Sequence, residues 1–113
     1  MKFYQRWPGD YMRDTAHLSL LQHGAYNVLL DHYYSTGKPL QANDKQMLFI
    51  CRANNKHEQE AVLSVLAEFF PVSEVDGLRH NSRADTEIIK AQAISLKRAE
   101  AGHKGGRPAN EKQ

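Results

Sequence analysis

Between Ser19 and Pro39 the chain carries a full set of local signals for one buried helix, and that stretch limits what can form around it. Ser19-Leu20-Leu21-Gln22 has the form of a capping box, with Ser19 as N-cap and Gln22 at the third helical position. Leu21, Ala25, Val28, Leu29 and Tyr33 follow at three- and four-residue spacing, with Tyr26, Leu30 and Tyr34 on an adjoining stripe. An apolar face this wide needs neighbours on more than one side, so the spacing predicts the central helix of a small bundle. Gly24 weakens it by about 1 kcal/mol relative to Ala and is read as a point of close helix crossing. Gly37 falls where a left-handed C-cap is wanted, and Pro39 stops the helix resuming.

The rest of the chain is punctuated around that helix. Met1 to His17 mixes Phe3, Tyr4, Trp7 and Tyr11 with Pro8-Gly9-Asp10. These aromatics are too many to leave in water, so an ordered arm across the core is expected, with a short helical turn near Arg13 to His17. Asn43 or Asp44 can cap a second helix that turns Met47, Leu48, Ile50 and Cys51 inward, and Asn54-Asn55 ends it. Asn55 with Glu58 forms a cap pair for a third helix, in which Val62, Val65, Leu66 and Phe69 make an apolar stripe. Pro71 to Glu74 and Leu78 to His80 flank Val75-Asp76-Gly77, whose Asp-Gly step is a hairpin signal. A fourth helix is predicted from Arg83 to about Ala101, with Ile88, Ala91, Ile94, Ile89, Ala93 and Leu96 as its apolar positions. Gly102 is its candidate C-cap, and Lys104-Gly105-Gly106-Arg107-Pro108 reads as linker. Three helices, a hairpin and a further helix give a mostly α fold with a small β-hairpin, in the order of a winged helix-turn-helix. Residues 1–101 form one winged-helix-like domain on this reading, with an aromatic arm and a basic C-terminal helix; residues 102–113 are a flexible basic tail.

With 113 residues, 41% of them apolar, the chain can bury one core and not two. Cys51 is the only cysteine, which excludes an internal disulfide framework and suits a reducing compartment. No apolar run approaches the roughly 18 residues of a membrane span, and no signal-peptide core follows Met1-Lys2-Phe3-Tyr4-Gln5-Arg6. A soluble, intracellular protein without membrane contact is expected. Its net charge of +2 is unevenly distributed. Residues 1–78 hold seven basic against nine acidic side chains, and residues 79–113 hold eight against four. A basic end on a slightly acidic body is the usual footprint of contact with a polyanion.

The chemistry-bearing residues point away from catalysis. Cys51 and His57 lack the paired short spacings of a zinc site, and His17, His23, His32, His80 and His103 never fall at i, i+4, so no metal or other cofactor is expected. Asp10 and Asp14 could approach each other, but both stand where Asp bonds backbone N–H groups at turns and helix starts. Gly105-Gly106 follows no strand and makes no phosphate loop. Cys51 lies on an apolar helix face, as a small core residue does. No enzyme and no small-molecule substrate is expected.

Several strings match a known pattern. Gly9-Asp10-Tyr11-Met12-Arg13-Asp14-Thr15-Ala16-His17-Leu18-Ser19, Gly24-Ala25-Tyr26 and Leu29-Leu30-Asp31-His32-Tyr33-Tyr34 resemble the YdaU-like family of prophage proteins. The likeness continues through Ala67-Glu68-Phe69-Phe70, Asp76-Gly77 and Asn81-Ser82-Arg83-Ala84-Asp85, to Ala101-Gly102-His103-Lys104-Gly105-Gly106-Arg107-Pro108. What the resemblance implies is a winged-helix-like module in the cytoplasm of a bacterial host, from a domain of unknown function often labelled a phage replication-initiation or DNA-binding protein. Family members often continue well past the Gly-Gly-Arg-Pro stretch, whereas this chain stops at Gln113. A specific activity housed beyond that point would leave this chain a binding role only.

DNA is therefore the expected partner. In a winged helix the third helix enters the major groove and the wing contacts the flanking backbone. Here Glu58, Glu60 and Glu68 oppose phosphate along most of that helix, which leaves its tip: Arg52, Asn54, Asn55, Lys56 and Gln59. The wing adds Arg79 and His80, with Asn81 and Arg83 just beyond. The last helix supplies more, because Arg83, Lys90, Lys97 and Lys104 recur every seven residues, only ~20° short of two helical turns. Arg98 and Arg107 strengthen the same end, and Gly106-Arg107-Pro108 has the shape of a minor-groove hook. The competing expectation is a protein-interaction module that assembles with phage or host replication proteins, or with its own copies through Ile89, Ala93 and Leu96, without touching DNA.

Overall fold

The computed structural model describes residues 13–105, with side chains described through Gly102. After a helical turn at 13–15, the described residues form four helices: α1 Leu20–Thr36, α2 Asp44–Ile50, α3 Lys56–Phe69 and α4 Ser82–Gly105. Residues 1–12 of the expected arm lie outside the described residues.

α1 is the central helix that its signals predict. Ser19 Oγ accepts the Gln22 N–H at 3.2 Å and Gln22 Oε1 accepts the Ser19 N–H at 2.8 Å, closing the capping box. Gln22 then donates through Nε2 to Ser64 Oγ at 2.9 Å, tying the start of α1 to α3. At the other end Gly37 adopts φ +67°, and its N–H reaches the Tyr33 carbonyl at 2.9 Å. α1 packs chiefly on α3, with α2 and α4 as lesser neighbours. Leu29, Tyr33, Met47, Val65, Leu66 and Phe70 are buried at the centre. Tyr26 meets Phe69 edge-on at 4.8 Å between ring centres, and Tyr33 lies 6.0 Å from Phe70. Two residues of the expected stripe, Leu21 and Val28, face outward instead, because the aromatic stripe of Tyr26, Leu30 and Tyr34 takes the core side. A Cβ on Gly24 would meet open space, so the expected close crossing there is absent.

α2 and α3 are capped as predicted. Asn43 Oδ1 accepts the Gln46 N–H at 3.1 Å, and Asn55 Oδ1 accepts the Glu58 N–H at 2.9 Å. Glu58 reaches back to the Asn54 N–H at 2.7 Å.

The winged helix-turn-helix expectation is corrected here. In place of a β-hairpin wing, the described residues hold two isolated antiparallel bridges, Leu40 with Arg79 and Val72 with Arg79, and no strand. The Asp-Gly turn does form, with Gly77 at φ +71° and its N–H on the Ser73 carbonyl at 2.9 Å. The ladder stops because its donors are missing or diverted. Pro39 and Pro71 lack N–H groups beside the bridged residues. Asp76 Oδ1 accepts the Leu78 N–H at 3.0 Å, the donor that a hairpin would have returned to Ser73. Asn81 Oδ1 accepts the Ala84 N–H at 2.9 Å and turns the chain into α4. α4 itself runs past the expected C-cap at Gly102 to Gly105.

Candidate nucleic-acid interface

α4 has two halves. From Ser82 to Ala91 it docks on the body through buried Ala84 and Ile88 and half-buried Ala91. From Gln92 to Gly102 every residue is exposed. Lys90 and Lys97 are exposed on one side of this helix, and Arg98 is exposed nearby. Arg83 shares the Lys90 side at the docked end. Lys90 Nζ lies 3.7 Å from Glu87 Oε2, while most of the Lys90 side chain remains in solvent. Lys104 continues the helical backbone, and Arg107 lies outside the described residues, as does the Gly106-Arg107-Pro108 hook. Ile89 and Leu96, also exposed, form a separate apolar strip with Ala93 on the face turned away from the body.

Of the other predicted contact residues, Arg79, Asn54 and Asn55 make structural hydrogen bonds. Arg79 Nη1 donates to the carbonyls of Phe70 at 2.9 Å and Leu66 at 3.3 Å at the C-terminal end of α3, where Leu66 also accepts the Phe70 N–H at 3.0 Å. Its Nη2 reaches Asp44 Oδ1 at 3.3 Å, so one guanidinium joins α3, α2 and the loop before α4. Asn54 and Asn55 belong to the α3 cap described above. Arg52 sits in the turn after α2 with φ +55°, and its N–H bonds the Phe49 carbonyl at 3.0 Å. Lys56 and Gln59 are exposed in the first turn of α3, and Glu60 and Glu68 bring negative charge to the same helix. The tip residues lie in the turn before α3 and in its first turn, and the stripe lies on α4, which packs on α1.

Sequence reasoning missed a polar network that fixes the root of α4. The His80 ring bonds Asp85 Oδ2 through Nδ1 at 2.8 Å and Asp76 Oδ2 through Nε2 at 2.7 Å. Ionised carboxylates only accept, so the ring satisfies both when each nitrogen carries a proton. Both carboxylates accordingly push the His80 pKa up, Asp85 first and Asp76 second, against the opposing effect of burial. Asp76 is pulled below the usual carboxylate value, first by the Leu78 N–H and then by His80. The Tyr33 hydroxyl donates to Asp85 Oδ1 and accepts the Asn81 N–H at 3.2 Å. Burial first, and the bond to Asp85 second, raise the Tyr33 pKa. Asn81 also donates from Nδ2 to the Phe69 carbonyl at 3.1 Å. One available signal was the four-residue spacing of Asp76 and His80, which helical reasoning passes over because the segment is a turn.

Elsewhere, burial pushes the Cys51 thiol up to about 11, so it is protonated at neutral pH. Among the described residues no cluster of His, Cys, Asp and Glu is arranged to hold a metal ion, and no helix is long and apolar enough to cross a membrane.

The family described as "Protein of unknown function (DUF1376)" matches residues 2–89. The chain belongs to that family. It is 39% identical over 70 residues to the "Uncharacterized protein YdaU" of Escherichia coli (strain K12), an alignment covering 62% of this chain and 24% of that protein. The chain thus spans about a quarter of the length of the curated relative it matches. No solved structure matches. The family match ends at Ile89, so Lys90, Lys97 and Arg98 lie beyond it, at and past the point where α4 leaves the body.

Proposed function

We propose that the protein is a non-enzymatic DNA-binding module in which α4 is the contact element. The observation that carries this reading is the exposed basic side of a helix that extends beyond its own core. Arg83 to Lys97 spans about 21 Å along the axis at 1.5 Å per residue, long enough to lie beside several phosphates. The carboxylates on the docked half oppose this less than their number suggests. Asp85 is engaged by Tyr33 and His80, and Glu87 is mostly covered and lies beside Lys90. The outer half adds Lys97, Arg98 and the backbone position of Lys104 against Glu100 alone. A role in initiating or regulating DNA replication in a phage or prophage is the setting implied by the family resemblance, and we adopt it as part of the proposal.

The test is fluorescence-anisotropy titration of the full chain against labelled duplex and single-stranded DNA at two salt concentrations. Four phosphate contacts predict affinity falling about a hundredfold between ~50 and ~200 mM salt. A Lys90→Glu, Lys97→Glu double variant should lose binding at both salts. DNA affinity that is absent at low salt, or unchanged in the double variant, overturns the proposal. A second reading is favoured by Ile89 and Leu96, exposed on the outer face of α4. On that reading α4 pairs with a second copy or another replication protein, and Ile89→Glu would lower the mass measured by light scattering while DNA binding stayed absent.

A further inference from the structure

Among the described residues Tyr26, Tyr33, Tyr34, Phe69 and Phe70 are buried or packed against the core, and one further aromatic ring, Phe49, is 81% exposed. α2 presents it to solvent because Met47 faces the core, and residue 49 falls on the opposite side of the helix. A single exposed apolar side chain needs no explanation by itself, so its surroundings decide. They are cationic. From Lys45 to His57 the chain holds Lys45, Arg52 and Lys56 and no carboxylate. Lys45 precedes Phe49 by one helical turn, on the same face of α2. Arg52 is fixed at the end of α2 by its N–H on the Phe49 carbonyl at 3.0 Å, and helix resumes at Lys56. All three cations are exposed, and none is held in an ion pair among the described residues. The carboxylates that bracket this stretch are engaged, Asp44 by Arg79 at 3.3 Å and Glu58 by the Asn54 N–H at 2.7 Å, and Glu60 comes a turn into α3. Val75 makes the contrast. It is 96% exposed but stands between Glu74 and Asp76, where a polyanion would be repelled.

A bare ring among free cations suits a partner that offers flat faces and negative charge together. An unpaired nucleotide does so, with a base to stack on the ring and phosphates on either side for the cations. We infer that the corner formed by the end of α2 and the start of α3 is a contact site for single-stranded DNA. Phe49 is its stacking platform, and Lys45, Arg52 and Lys56 are its phosphate partners. Such a contact rests on the DNA-binding reading above and adds what α4 does not supply. The basic side of α4 meets phosphates, which position a protein without reading bases, whereas a stacking ring needs bases that are unpaired.

The test is fluorescence anisotropy of the full chain with three labelled probes at ~50 mM salt: an oligothymidine, the same strand made abasic, and a duplex. Phe49→Ala should weaken binding of the oligothymidine about tenfold and leave duplex binding unchanged. The unmodified chain should bind the abasic strand as weakly as Phe49→Ala binds the oligothymidine, and Phe49→Ala should not distinguish the two strands. Phe49→Trp should retain the affinity. Phe49→Leu, apolar but without a ring, should lose it. Because position 49 is exposed, the urea midpoint of each variant should match that of the unmodified chain. Oligothymidine binding that survives Phe49→Ala, or that Phe49→Leu retains in full, overturns the stacking site, and intact duplex binding in that case leaves the α4 reading standing. A lower mass of Phe49→Ala by light scattering would make this corner a contact between copies and overturns it as well. If the unmodified chain binds none of the three probes, both readings fall together.

Discussion

α1 and the outer half of α4 are both regular helix, yet opposite circumstances hold them in place. α1 is capped at both ends and buries Ala25, Tyr26, Leu29, Leu30, Tyr33 and Tyr34 against three neighbours. Residues 92–102 of α4 are all exposed in this chain. An isolated helix of that length is marginal in water, because nucleation is costly and only packing or length offsets it. It persists as the continuation of a helix already nucleated by the Asn81 cap, Ala84 and Ile88. The difference separates two kinds of sequence constraint. Residues of α1 answer to the core, whereas Lys97, Arg98 and Leu96 answer to solvent or to a partner.

The largest effect should come from removing a buried leucine on one side of that comparison and an exposed one on the other. Leu29→Ala, at a fully buried position, is expected to cost about 2–5 kcal/mol of unfolding free energy. Leu96→Ala, 63% exposed, should change it by less than about 0.5 kcal/mol. Urea denaturation followed by circular dichroism measures both. A Leu96→Ala cost that rivals the Leu29 value would break the comparison. It would mean that the outer helix is packed on a second copy, and the midpoint would then depend on protein concentration.

Next in size is the anchor between the two regions. Tyr33→Phe removes the hydroxyl that donates to Asp85 and accepts the Asn81 N–H, so two partners lose a bond at once. About 1–3 kcal/mol of destabilisation is expected, the usual penalty for half-buried polar groups left unpaired. Hydrogen exchange would sharpen the result. The amides of Ala84 to Ile88 should lose protection in the variant, and those beyond Gln92 should be weakly protected in both proteins.

The helices were legible in the sequence because each carries its own boundary chemistry. Ser19 with Gln22, Asn43, and Asn55 with Glu58 are local devices, and each forms the hydrogen bond its spacing predicts. The wing was not legible, because a hairpin depends on partners distant in sequence. The Asp-Gly step gave its turn, but Asp76 bonded locally and the prolines removed donors, so two bridges formed where a ladder was expected. Arg79 misled for a related reason. A lone arginine after a turn reads as a phosphate contact until the carbonyls of Leu66 and Phe70, nine or more residues earlier, are seen to accept from it. The α4 stripe was readable as a period of seven, but its exposure beyond Ala91 was not, since apolar Ile94 and Leu96 suggested further burial.

A pair of glycines gives a smaller and cleaner contrast. Gly24 in α1 and Gly102 in α4 both lie inside helix, and a Cβ at either would meet nothing. Gly24→Ala should raise global stability by about 0.5–1 kcal/mol through helix propensity alone. Gly102→Ala should add helical ellipticity and leave the unfolding midpoint where it was, because the outer half frays independently of the core. Equal midpoint shifts from the two substitutions would show that α4 unfolds with the body along its whole length.

The smallest effect is a pH dependence confined to the root of α4. His80 has its pKa raised by Asp85 and Asp76, so the folded state binds this proton more tightly than the unfolded chain does. Its contribution is complete below the ordinary imidazole value of 6.5 and is lost as pH rises through the higher folded value. Asp76 has its pKa lowered, and its contribution is complete above the ordinary 3.8 and lost as pH falls through the lower folded value. Between those two ordinary values both contributions are at full strength. The thermal stability of the full chain should therefore be highest at mildly acid pH and should decline toward alkaline pH. In His80→Gln that alkaline decline should flatten, while the acid limb from other carboxylates remains. Wild type and His80→Gln declining in parallel would show that the imidazole bridges only carboxylates that hold α4 equally well without it. The effect is also confined in space. Amides from Ala84 to Ile88 should lose exchange protection beyond intrinsic base catalysis as His80 deprotonates, and those beyond Gln92 should follow the intrinsic rate alone, since nothing in the network reaches them.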